Sequence, residues 1–229
     1  MRIKKLLKCV PLVFAGMLFQ GLAHAGEYGN ISVGITGSMA SIESQGKEIL
    51  KHSGNETSAS ISETAPVPSV FIEYNSNILN GLTLGLDYVP EDANMGSKSV
   101  TKVDTDEDDS ADTSGTNKAD ADLTDLITAY LELPLGDEGF YVKVGASHVT
   151  VTTKENLATG TKYGNKDVTG LMGGIGMKKS DIGGTNAFVK FEVNYTDFEH
   201  ISLSDGSTGN KISADVEATQ GRISLGYRF

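Results

Sequence analysis

The last ten residues, Gln220 to Phe229 (QGRISLGYRF), alternate with a period of two up to the final position. Ile223, Leu225, Tyr227 and Phe229 fall on one face of an extended strand, and Arg222, Ser224, Gly226 and Arg228 on the other. One face asks for an apolar medium and the other for a polar one. Past residue 25 no run of the chain is apolar and long enough to cross a bilayer as a helix, so a membrane role requires strands.

The same alternation recurs along the chain. A first strand, Tyr28 to Ser41, sets Ile31, Val33, Ile35, Gly37 and Met39 against Ser32, Gly34, Thr36 and Ser38. A polar, loop-like stretch from about Ile42 to Pro66 leads to Pro68, Val70, Ile72 and Tyr74, which alternate with Ser69, Phe71 and Glu73. After a short turn, Leu82, Leu84, Leu86 and Tyr88 oppose Thr83, Gly85 and Asp87, and Pro90 ends that strand. The stretch Glu91 to Asp122 carries ten Asp or Glu against three Lys and reads as a long acidic loop. Strands four to seven place Ile127, Ala129, Leu131 and Leu133, then Phe140, Val142, Val144 and Ala146, then Leu171, Gly173, Ile175 and Met177, then Ala187, Val189, Phe191, Val193 and Tyr195 on the apolar face. Further loops cover about Thr152 to Asp167 and Asp197 to Asp215. The terminal strand is the eighth, and four long connections interleave with three tight turns.

Charge separates the two faces. The apolar face has no charged residue in its central span, whereas the other carries Glu73, Asp87, Glu132, Lys143, Lys190, Glu192 and Arg222. Aromatics bracket the apolar face, with Tyr74, Phe140, Tyr227 and Phe229 at the turn-side ends and Tyr88 and Tyr195 at the loop-side ends. Two aromatic girdles around an aliphatic band suit a bilayer, and a soluble sandwich has no use for them.

Residues 1–25 read as a cleaved secretory signal peptide: a basic segment with Arg2, Lys4, Lys5 and Lys8, an apolar run from Val10 to Leu22, and Ala23-His24-Ala25 before the cut. Its removal takes the formal charge from −11 to −15 and discards Cys9, the single cysteine, leaving residues 26–229 as one domain without disulfides or thiolate metal sites. So negative a chain is a poor binder of nucleic acid.

The ending on Phe229, the alternation and the loop pattern resemble the eight-stranded bacterial outer-membrane barrels, the OmpA-, OmpX- and opacity-protein-like, porin-like group. The resemblance implies an all-β fold: an eight-stranded antiparallel transmembrane β-barrel with short periplasmic turns and four longer extracellular loops, in the bacterial outer membrane. It further implies that Tyr227 and Phe229 belong to a signal read by the barrel-insertion machinery, that outer-membrane lipid surrounds a monomer, and that no cofactor is needed.

Interiors of such small barrels are filled by side chains, so the seven inward charges are expected to form a paired structural network. Glu132 is placed diagonally from Lys143, and Glu192 beside Arg222. Inward glycines (Gly34, Gly85, Gly145, Gly174, Gly176, Gly226) leave room for water, which keeps a small-solute pore as the alternative function. Other motifs fail. Asp104, Asp106 and Asp108 open like a calcium loop, but Asp109 stands where glycine is required and Gly115 where glutamate is. Gly174-Ile175-Gly176 begins a dinucleotide fingerprint that Lys179 breaks. His148 and Thr150 share the lipid-facing side near the loop end of strand five, as in barrel lipid A deacylases, but Thr150 replaces the required serine and no outward Glu completes the set. The sequence therefore points to a non-enzymatic barrel with no catalytic, cofactor or metal residues, anchoring loops that interact at the surface. Replacing Asp92 to Asp120 by a short turn is expected to leave folding intact.

Overall fold

The computed structural model describes residues 29–51, 54–77, 81–90, 92–104, 113–154, 163–206 and 209–229. The leader 1–25 lies outside them, as do Asp106, Asp108 and Asp109. The described residues form eleven strands: β1 (Gly29–Ile49), β2 (Glu56–Pro66), β3 (Ser69–Ser76), β4 (Thr83–Tyr88), β5 (Ala93–Asp104), β6 (Thr113–Leu135), β7 (Phe140–Thr153), β8 (Lys166–Lys179), β9 (Ala187–Phe198), β10 (Ile201–Ser204) and β11 (Lys211–Arg228). Antiparallel ladders join β1, β3, β4, β6, β7, β8, β9 and β11 in that order, and β11 pairs back with β1. The ring has eight members and no open edge.

Its geometry follows from the registers. A line leaving Val33 passes through Ile72, Leu86, Ala129, Ala146, Leu171, Asp197 and Glu217, and returns to β1 at Glu43, ten residues from its start. Ten residues of stagger over eight strands tilt the strands by about 40° at ordinary strand spacings. On β1 the outward apolar run from Ile31 to Met39 then rises about 20 Å, close to the ~25 Å band that barrels present to lipid once side chains are added.

The outward residues read from the sequence are the exposed ones. Ile35, Leu84, Leu171, Ile175, Val193, Ile223, Leu225 and Phe229 are each more than half exposed, and Leu171 reaches 72%. Leu84 lies near the middle of the band. Leu84→Arg is therefore expected to cost about 2–4 kcal/mol in lipid. Glu43→Arg, outward but above the band and opposite Glu217, should stay within about 0.5 kcal/mol. Reversible unfolding in lipid vesicles measures both, and equal tolerance at Leu84 would reverse the assignment of faces.

The sequence placed the strand ends too early. The stretch 42–66 is a hairpin of β1 and β2, and the acidic stretch 91–122 contains β5 and the first ten residues of β6, paired from Ala93↔Leu123 to Asp104↔Thr113. Likewise β7 reaches Thr153, β8 starts at Lys166, and β10 pairs with β11 within 197–215. These strands continue the barrel wall beyond the lipid band, β2, β5 and β10 prolonging β3, β4 and β9 after short breaks.

Above the band the chemistry of the two faces inverts. Inward residues become apolar: Ala40, Ile42, Val67, Val89, Leu123, Val149, Val151, Val168, Phe198, Ile201, Val216 and Ala218 form one buried cluster. Their outward neighbours Glu43, Asp167, Asp197 and Glu217 are exposed and acidic. On β1, β7 and β11 the same face stays inward throughout, and only the residue types change. β6 instead takes a bulge between Thr124 and Ile127, with Asp125 at φ 56°, which turns both Leu123 and Leu126 toward the cluster. In the membrane, lipid supplies the apolar medium outside; beyond it the medium outside is water, so the apolar residues move within.

Candidate functional site

The site that the strands build is the lumen of the membrane-spanning part. All seven inward charges predicted from the sequence are buried there, and Lys178 from the end of β8 joins them. The eight groups form a chain of alternating sign. Asp87 holds Arg222; Arg222 Nε lies 3.6 Å from Glu192; Glu192 accepts from Lys143 at 2.7 Å; Lys143 lies 3.5 Å from Glu132; Glu132 accepts from Lys190 at 2.7 Å; Lys190 bonds Glu73; and Glu73 lies 3.7 Å from Lys178. Four carboxylates alternate with four cations, so the chain is formally neutral and every interior member has an opposite charge on each side.

Strand register produces this arrangement. Glu132 stands directly opposite Lys143, not diagonally, and Glu192 directly opposite Arg222. Lys143 nevertheless bonds more closely to Glu192, from β9, than to its ladder partner, reaching past the β8 glycines Gly174 and Gly176 that lie between the two strands. Neutral donors complete the carboxylates: Tyr130 donates to Glu73 at 2.8 Å, Tyr141 to Glu192 at 2.9 Å, and Ser69 to Asp87 at 3.1 Å. The Lys143 ammonium sits 3.6 Å from the centre of the Tyr130 ring, and that of Lys178 4.1 Å from the Phe188 ring. Lone ions would be costly here, and the alternation offsets part of that cost.

The inward glycines do not leave room for water. Each faces a large side chain on the next strand: Gly34 with Phe71, Gly85 with Tyr130, Gly145 with Met172, Gly174 with Asn194, Gly176 with Tyr141, and Gly226 with Phe188. A Cβ at Gly85 would stand 2.2 Å from the Tyr130 ring, and one at Gly226 2.2 Å from Phe188. These rings lie across the glycines and fill the space between the ion pairs. The sequence signal was present as six glycines at inward positions; their partners became visible only with the register.

The remaining candidates are dispersed. Thr150 donates to Asp167 at 2.7 Å, across the β7–β8 ladder. No group of three or more metal-ligating side chains occurs among the described residues. Tyr227 and Phe229 are exposed on the lipid side with their rings 5.2 Å apart, edge to face.

A closed ring of eight tilted strands, apolar toward lipid and neutralised within, defines a transmembrane β-barrel. The family model for the outer membrane protein beta-barrel domain matches residues 12–229, and the chain belongs to that family. Its place is therefore the bacterial outer membrane. No curated protein matches the chain in sequence. Among solved structures, it is similar to the outer membrane protein OprG from Pseudomonas aeruginosa at 17% identity and a TM-score of 0.49, covering 90% of this chain and 98% of that one. It is also similar to the outer membrane protease OmpT from Escherichia coli (11%, TM-score 0.44, 87% and 97% covered) and to Ail, the attachment invasion locus protein of Yersinia pestis (12%, TM-score 0.34, 86% and 99% covered).

Proposed function

We propose that this protein is a non-enzymatic, monomeric outer-membrane anchor whose barrel is closed to solutes and whose outer β-structure carries the interaction with the cell's surroundings. The observation that supports this most is the filling of the lumen in two layers. Toward the periplasm the alternating ion chain and the aromatic rings occupy the cross-section; toward the outside the apolar cluster occupies it. A hydrated solute would have to break ion pairs in the first layer and shed its water in the second. The outer strands leave a polar, rigidly paired surface beyond the lipid, whereas the lipid-facing side chains are committed to the bilayer.

The alternative function, a small-solute pore, separates cleanly in a planar bilayer. The purified protein is expected to show no stepwise conductance at moderate voltage. A variant with Val149, Phe198 and Val216 all changed to serine, which loosens the outer layer alone, is expected to remain closed because the ion chain still blocks the lumen. Regular single-channel steps from the wild-type protein would replace the anchor reading with the pore.

A further inference from the structure

Farther out than the apolar cluster, one side chain reaches across the barrel mouth. Tyr163, in the short stretch 163–165 that precedes β8, is 8% exposed, and its hydroxyl donates to Glu48 Oε1 on β1 at 3.0 Å. In the ring, β9 and β11 stand between β8 and β1 on one side, and β7, β6, β4 and β3 on the other. Glu48 lies on the face of β1 that turns Ala40 and Ile42 inward, six residues beyond Ile42. The bond therefore lies within the mouth and not along the wall. Tyr163 is not part of the apolar cluster, so it forms a layer of its own above it.

The two ends of this contact differ. Glu48 belongs to a braced wall: it sits in both ladders of β1, opposite Ile212 and Thr57. Just past it the Lys51 N–H donates to Asn210 Oδ1 at 3.0 Å, tying the tip of the β1–β2 hairpin to that of the β10–β11 hairpin. The stretch 163–165 lies outside the β7–β8 ladder, which runs out to Lys166, and is held on its own side by the Thr153 hydroxyl, which donates to the Gly164 carbonyl at 2.9 Å. A segment outside the ladders opens at lower free energy than the strands around it. Its ring is nevertheless buried, and a hydroxyl bonded to a carboxylate makes a stronger contact than a neutral pair. We infer that Tyr163 is a latch: bonded to Glu48, it holds 163–165 as a strap across the outer mouth, and its release admits solutes from outside to the space above the cluster, with the cluster and the ion chain still shut. This third closure is separable from the closed-barrel reading, since the two layers beneath it block the lumen without it.

The test reads the rate at which a charged maleimide modifies one thiol on the full chain in lipid nanodiscs, which leave both ends of the barrel open to reagent. Cys9→Ser removes the single natural cysteine, and Ser44→Cys places a thiol on the inward face of β1 between Ile42 and Glu48. Modification through a local opening follows the opening constant, so removing a hydrogen bond to a carboxylate should raise the rate about tenfold or more. Tyr163→Phe and Glu48→Ala should both show that rise, and Tyr163→Ala a larger one. A thiol within the cluster, from Val149→Cys, should stay unmodified in all of them. Equal rates at Ser44→Cys with and without Tyr163→Phe overturn the latch. So does a rise at Val149→Cys as large as that at Ser44→Cys, because the ring would then hold the barrel together and not cover its mouth. If Tyr163→Ala fails to fold, the Tyr163→Phe and Glu48→Ala rates decide.

Discussion

Replacing Lys190 by methionine should destabilise the barrel by about 3–5 kcal/mol, the largest loss expected from any single substitution in the ion chain. Lys190 is 1% exposed and bonds both Glu73 and Glu132. Methionine keeps most of the volume and removes the charge, leaving two carboxylates buried with weaker compensation: Glu73 retains Lys178 at 3.7 Å, and Glu132 retains Lys143 at 3.5 Å. A further change of Glu132 to glutamine restores neutrality, with three carboxylates against three cations. The double variant should recover a substantial part of the loss, because much of the single-variant cost is that of an unpaired ion. Lys178→Met, at the chain's end and with its side chain 18% exposed, should cost much less. Reversible urea unfolding in lipid vesicles measures all three. An equal cost at Lys190 and Lys178, or no recovery in the double variant, would mean that the eight charges do not act as a linked chain.

The membrane-spanning part of this fold was legible in the sequence, because lipid imposes a strict rule on one face of every strand. Alternation put Val33, Leu84, Leu131 and Leu225 on one face and the seven lumen charges on the other, and the aromatics that bracket the charge-free face assigned it outward. Lys178 escaped because it lies at the edge of the tight turn 179–186, where alternation gives way to turn chemistry. The partners of each charge were out of reach for a different reason. Lys190 on β9 meets Glu73 on β3 across the lumen, three strands away around the ring, and such a contact depends on how all eight strands close together. The outer third was misread as loops because Ser, Thr, Lys and acidic residues dominate β2 and β5, and hairpins beyond the bilayer lose the lipid-imposed apolar face that marked the strands below. Ile42, Val149, Val151 and Val216 carried a signal of their own: they are inward by parity yet apolar, the reverse of the pattern beneath them.

That reversal fixes what a shortened acidic hairpin should do. Removing only 105–112, the segment between the ends of β5 and β6, leaves every described ladder in place, and the barrel should insert and shift on gels as the full chain does. Replacing Asp92 to Asp120 is another matter. It deletes β5 and the outer strand segment that pairs with it, uncovers Leu123 at the rim of the apolar cluster, and removes the Asp120 carbonyl that accepts from the Lys154 N–H. Loop-closure entropy favours the shorter chain by about 2 kcal/mol at most, which does not offset the loss of the β5–β6 ladder and of the apolar cover. Val149→Asp isolates the same cluster without a deletion. Val149 is fully buried, a carboxylate there has no cation in the cluster to pair with, and a cost of about 3–5 kcal/mol is expected. Ser147, one position lower on the same face, borders the polar layer and bonds Thr128 at 2.8 Å, so Ser147→Asp should cost clearly less. Unfolding midpoints in lipid compare the two. If Val149→Asp is tolerated as well as Ser147→Asp, the outer end of the barrel is wet, the two-layer closure fails, and the ion chain is left as the one barrier to solutes in the lumen.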